Sequence, residues 1–114
     1  MEDCLFCKFA SGEIKPDVVY EDDHVLAFRD INPQAPVHVL VVPRAHTKDV
    51  TTLAAGDGAT LEAVFAAATQ IARAEGIDES GYRVVANVGP NAGQTVFHLH
   101  FHLLGGRALA WPPG

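Results

Sequence analysis

Cysteine is scarce in this 114-residue chain, which carries only Cys4 and Cys7. Two cysteines so close together cannot form the disulfide framework of a small secreted domain, and a reducing, cytoplasmic setting is expected. Long apolar runs are missing too. No stretch approaches the ~20 residues that a membrane-spanning helix needs. The opening MEDCLFCKFA has neither a basic leader with a long apolar run nor a small-residue cleavage site, so no signal peptide and no membrane partner are expected. Positive charge is also in deficit, with 8 Lys and Arg against 14 Asp and Glu and a formal net charge of −6. Cations scattered singly leave no basic footprint for polymeric nucleic acid, though a single small anion held by local donors remains possible. What the chain has is apolar side chains, 48% of the total, enough to bury a core without disulfides in one domain spanning residues 1–114.

The segments after a short helical turn around Leu5 to Ala10 read mostly as strands. DVVYED and HVLAFRD, separated by Asp22 and Asp23, have the pattern of a hairpin. VHVLVVP is nearly continuous in apolar, β-branched residues, which predicts a strand buried on both faces and closed by Pro43. From Ala59 to Glu75, Leu61, Val64, Phe65, Ala68, Ile71 and Ala72 recur at helical spacing, and Gly76 is placed to stop the helix. YRVVANV and VFHLHFHLL follow as strands joined by the loop GPNAGQT. This order predicts an α+β fold with an antiparallel five-stranded sheet, one long helix and a short N-terminal helix.

In VFHLHFHLL, His98, His100 and His102 alternate with Phe97, Leu99, Phe101 and Leu103. Side chains of a strand point alternately to opposite faces, so the imidazoles share one face and the apolar side chains pack on a core; at helical steps of about 100° neither set is coherent. A lone histidine on an apolar face is usually a satisfied structural residue. Three on one face disfavour charging one another, an arrangement that chemistry explains better than packing. Two uses fit: imidazoles converging on a metal, or nucleophilic catalysis in which one ring attacks and its neighbours orient it and move protons.

The run His98-Leu99-His100-Phe101-His102-Leu103-Leu104 resembles the motif of the histidine triad (HIT) superfamily. FRDINPQAPVHVLVVPRAH, RVVANVGPNAGQTVFHLHFHLLGGR and the terminal WPPG are similar to stretches of its Hint branch, the purine nucleoside phosphoramidate hydrolases. The resemblance implies a homodimer whose two sheets join, no organic cofactor, and hydrolysis of the P–N bond of purine nucleoside phosphoramidates to the monophosphate through a nucleotidyl-histidine. Two alternatives are a nucleotide-binding or protein-interaction module with vestigial catalysis, and a dinucleoside polyphosphate hydrolase, which the WPPG tail disfavours. His100 matches the nucleophile, which must be neutral and of the right tautomer, with its other nitrogen donating to a backbone carbonyl. The resemblance places His102 at the phosphate oxygens and gives His38 as the fourth histidine accompanying the triad. Gly93, Gln94 and Thr95 match the phosphate loop, with Thr95 where eukaryotic relatives mostly carry serine. Asn87, between Ala86 and Val88 on a strand, matches a residue facing the same site. Asp30 matches the acid that binds the ribose hydroxyls, and Leu5, Phe6, Ile14, Phe28 and Ile31 match positions around the base.

A Cys-x-x-Cys pair is often a redox motif, but that use favours a helix start in a thioredoxin-like unit, which this chain lacks. Zinc needs two more ligands. Some members of the superfamily hold a structural zinc with such a pair, the histidine of a P-x-x-H segment and the first triad histidine, here His46 and His98. The resemblance thus implies one Cys₂His₂ zinc per chain on Cys4, Cys7, His46 and His98, a closed tetrahedral set suited to structure.

Overall fold

The acidic turn between the first two apolar runs folds as a hairpin of β1 (Val18–Glu21) and β2 (Val25–Arg29). Asp22 closes it, accepting from the backbone N–H of His24 at 2.7 Å and of Val25 at 2.9 Å and from the Tyr20 hydroxyl at 2.9 Å. The structure, a computed structural model, describes residues 4–53 and 56–114. With β3 (Val37–Pro43), β4 (Tyr82–Val85) and β5 (Phe101–Gly105) the hairpin forms a five-stranded antiparallel sheet in the order β1-β2-β3-β5-β4. Two helices, α1 (Leu5–Ser11) and α2 (Gly58–Ala74), complete the expected α+β arrangement.

β3 is buried on both faces, as its composition requires. Val39 and Val41 face α2 together with Val25, Ala27, Phe101 and Leu103, and meet Val64, Ala67 and Ile71 of the helix. Leu40 and Val42 face the other way, with Leu26 and Phe28, and are covered by Phe6 of α1. Burying each such side chain contributes roughly 1.5–3 kcal/mol, so the period of two commits β3 to its register. The α2 face is therefore core, and the α1 face is left to hold a site.

α2 starts and stops one residue before the expected bounds. Asp57 caps it, accepting from the Thr60 N–H and hydroxyl, and Gly76 ends it at φ +72°. Val64, Ala68, Ile71 and Ala72 are buried as the spacing predicts, but Phe65 is 50% exposed and meets Phe101 of the core in an edge contact. Leu61 is half-buried.

Two expected strands are shorter than predicted, for one reason. The ladder between β3 and β5 ends at Val41 and Phe101; beyond it Pro43 has no N–H, and the N–H of Arg44 goes to His24 on the hairpin. Residues 96–100 therefore lie outside the ladder, tied instead by the Leu99 N–H to the Thr47 carbonyl at 2.6 Å. With β5 starting at Phe101, β4 has no partner past Val85, which pairs with His102, so Ala86, Asn87 and Val88 leave the sheet. Alternation of side chains survives without regular pairing. Leu99, Phe101 and Leu103 are buried opposite the histidines, whereas Phe97 is 53% exposed and is not part of the apolar face.

Candidate active site

The three imidazoles share a face and part company at their hydrogen bonds. His98 is fully buried, and its Nε2–H donates to the Pro43 carbonyl at 2.8 Å, filling the acceptor left free where the ladder stops. Its Nδ1 therefore carries the lone pair, and it points at the thiols of Cys4 and Cys7. His100 donates from Nδ1 to the His98 carbonyl at 2.8 Å, so that Nε2 is the nitrogen that bears the lone pair in the neutral form of the ring. This is the carbonyl partner that a nucleophilic His100 requires and that no sequence pattern identifies.

His102 is joined to His38 across β3 and β5. Leu40 pairs with His102 and His38 with Leu104, so the two rings are diagonal neighbours on one face, with Nε2 of His38 2.9 Å from Nδ1 of His102. Nδ1 of His38 accepts the backbone N–H of Gln34 at 3.0 Å. Asp30 brings Oδ2 to 3.4 Å from His38 Nε2, while its Oδ1 accepts the Asn32 N–H at 2.8 Å. That approach looks like an ion pair, but His38 is buried, its Nδ1 is occupied as an acceptor, and burial lowers its affinity for a proton against the pull of Asp30. We therefore read it as a neutral ring beside a carboxylate. Burial, and then the neighbouring His100 and His38 rings, push His102 down to about 4 despite Asp30.

His100 and His102 form one wall of a cleft of about 440 Å³. Leu5 and Phe6 of α1, Ile14, Phe28, Ile31, Asp30 and Thr95 line it as well, so the expected base and ribose residues meet beside the expected nucleophile. Ile31 is fully exposed on the rim. Phe9, Leu40 and Val96 also contribute and were not anticipated. Phe9 had a signal, since it follows Phe6 at helical spacing, and Leu40 follows His38 by two on β3.

Of the three expected phosphate-loop residues, Thr95 lies on the cleft wall. Gly93 and Gln94 do not line the cleft, and their N–H groups are spent inside the turn, on Pro90 at 3.1 Å and Gly89 at 3.1 Å. The Gln94 side chain is buried and staples the loop, donating to the carbonyls of Lys48 and Val96 and accepting the Gly89 N–H. Asn87, in the irregular segment after β4 and not on a strand, is outside the cleft lining.

A second cluster lies behind His100. Cys4 Sγ is 3.3 Å and Cys7 Sγ 3.5 Å from His98 Nδ1, and Cys7 Sγ is 3.4 Å from His46 Nδ1; all four ligand atoms lie within 4.8 Å of one another. Zinc bonds of ~2.3 Å to sulfur and ~2.05 Å to nitrogen at tetrahedral angles put S and N about 3.6 Å apart, which matches. Cys4 also caps α1, its sulfur accepting the Cys7 N–H at 3.3 Å. Among protein groups alone, burial and the neighbouring Cys4 raise the Cys7 thiol to about 11, a tendency that a bound cation reverses.

A family model described as the HIT domain matches residues 11–109. The chain belongs to the HIT domain family. It is 50% identical over 114 residues to the 14 kDa zinc-binding protein of Zea mays, covering 96% of this chain and 87% of that protein. It is 45% identical over 108 residues to the purine nucleoside phosphoramidase of Escherichia coli strain K12, covering 95% of this chain and 91% of that enzyme. Among solved structures, the HIT family hydrolase from Legionella pneumophila Philadelphia 1 superposes with a TM-score of 0.95 at 50% identity, covering 98% of this chain and all of that one. The fold is thus the HIT fold.

Proposed function

We propose that this HIT protein hydrolyses purine nucleoside phosphoramidates to the nucleoside monophosphate and the free amine, with His100 as nucleophile. The observation that carries this reading is the Nδ1–H bond of His100 to the His98 carbonyl, which leaves Nε2 as the ring nitrogen available for attack at a cleft lined by an apolar wall and Asp30. The kinship with the Escherichia coli enzyme supports the substrate class.

Nε2 attacks the α-phosphorus in line with the P–N bond. A P–N(imidazole) bond forms, the amine departs with a proton taken up from water in the cleft, and the His98 carbonyl supports the cationic ring through Nδ1–H. Water then attacks phosphorus and displaces His100 as the neutral ring, its proton passing to the hydroxide left when the amine was protonated. His102 donates to a phosphoryl oxygen, and the Thr95 hydroxyl on the cleft wall serves the leaving group. Asp30 accepts from the ribose hydroxyls while Leu5, Phe6, Phe28 and Ile31 enclose the base.

Cys4, Cys7, His46 and His98 would hold one structural zinc, a reading that the spacing of their ligand atoms and the named zinc-binding relative support. The metal supplies charge that keeps the thiolates ionised and the four segments together. The unpaired edge of β4, with Tyr82 and nearby Val88 exposed, supports a homodimer in which two sheets join. Among the described residues no helix is long and apolar enough to cross a membrane. The two free cysteines support a reducing, cytoplasmic setting.

The test is incubation of the purified protein with adenosine and guanosine phosphoramidates and with dinucleoside polyphosphates. Release of the monophosphate and amine from the phosphoramidates, faster than cleavage of the polyphosphates, is expected. Preferential cleavage of the polyphosphates would overturn the substrate class.

A further inference from the structure

His102 reaches the cleft at the end of a chain of hydrogen bonds that begins at a backbone amide. A main-chain N–H can only donate, so Nδ1 of His38, 3.0 Å from the N–H of Gln34, must carry a lone pair. A neutral His38 then has its proton on Nε2, where it meets Nδ1 of His102 at 2.9 Å. Nδ1 of His102 becomes the acceptor, and the remaining proton of that ring is on Nε2. An imidazolium at His38 would direct an Nδ1–H against the Gln34 N–H, and an imidazolium at His102 would direct an Nδ1–H against the proton of His38. Both rings are thereby held neutral and in the same tautomer.

We propose that the backbone amide of Gln34 sets the tautomer of His38 and through it that of His102, so that His102 meets the phosphoryl group as a neutral Nε2–H donor and not as an acid. The inference rests on the proposed phosphoryl-transfer reading for its consequence, but the tautomers themselves do not. Gln34 and His38 are positioning residues: they act through His102. The loop INPQAP has a defined task here, since the N–H at 34 lies between Pro33 and Pro36, which lack one. Asp30 Oδ2, 3.4 Å from the same His38 Nε2, competes for that proton. A ribose hydroxyl donating to this carboxylate would weaken the competition and strengthen the bond to His102 as the substrate binds.

The test is long-range ¹H–¹⁵N correlation NMR on the wild-type protein labelled at histidine, without substrate, at neutral pH. The expected pattern is pyridine-type Nδ1 and pyrrole-type Nε2 for both His38 and His102, and the opposite for His100. An Nδ1–H tautomer or an imidazolium at His102 would overturn the proposal. A second measurement replaces Gln34 by the α-hydroxy acid, turning its amide into an ester and deleting one N–H without fixing φ. His102 should then populate both tautomers, and kcat should fall towards the roughly 10²–10³-fold loss that removal of one oxyanion donor causes, while the Kd for adenosine monophosphate holds. Gln34→Ala, which keeps the amide, should retain the single tautomer. A single Nε2–H tautomer in the ester variant would refute the role of the amide. If the tautomers are as stated but phosphoramidates are not cleaved, the reaction assignment fails and the tautomer lock stands.

Discussion

A neutral imidazole attacks only through the nitrogen without a proton, so the choice of hydrogen-bond partner decides which of three neighbouring histidines is a nucleophile. His98 turns its lone pair to the thiols, His102 turns its own to His38, and His100 alone presents it to the cleft. His100→Ala should therefore lower turnover by about three orders of magnitude or more and change the Kd for adenosine monophosphate only slightly, because the base and ribose contacts remain. Steady-state kinetics and calorimetry check both halves. Asp30→Asn should weaken ribonucleotides about tenfold more than their 2′-deoxy analogues, since an amide cannot accept two hydroxyl bonds as a carboxylate does. Equal losses would remove Asp30 from the ribose. His102 also makes stability depend on pH. Its affinity for protons drops from 6.5 to about 4 on folding, so the unfolded chain binds more protons within that window and stability falls as pH is lowered through it. The Tm should decline between pH 7 and pH 4, less steeply in His102→Gln.

At the scale of elements, the site depends on a helix too short to stand alone. α1 has seven residues, marginal in isolation, and is anchored by Phe6, by Arg44 donating to the Ala10 carbonyl at 3.1 Å, and by the two thiols at its start. Phe6 meets the His100 ring edge-on at 5.2 Å, so the same helix that carries the thiols carries the wall of the cleft. Elemental analysis of protein purified without added metal should find about one zinc per chain, and Cys4→Ser or a strong chelator should lower the Tm by roughly 10 °C. A metal-free protein in which Cys4→Ser is thermally silent would reduce the pair to half-buried packing side chains. Alternation made the histidine face legible from sequence, and unbroken apolar character made β3 legible, because both are properties of single segments. The end of β5 was not, since it depends on Pro43 of another strand withholding a donor. Nor was the position of Gln94, whose loop is folded by partners as distant as Lys48. The carbonyl that orients His100 was invisible for a related reason: backbone acceptors carry no residue signature.

For the whole molecule, the sheet separates two tasks, with α2 and an apolar core on one side and both histidine clusters on the other. Among the described residues β4 and β1 are the two edge strands of the sheet, and β4 is the edge proposed to pair. Light scattering coupled to size exclusion should give twice the 12.2 kDa chain mass, and a mass of one chain would exclude the joined sheets. The central claim is that His100 becomes covalently bonded to the nucleotide, and it is tested most directly by acid-free quenching of a single turnover with an adenosine phosphoramidate, followed by peptide mapping in the mass spectrometer. The account predicts a transient adenylyl group on His100, formed as the amine is released and lost as the monophosphate appears. Release of monophosphate at the full rate with no adduct on His100, or with the adduct on another side chain, would contradict it.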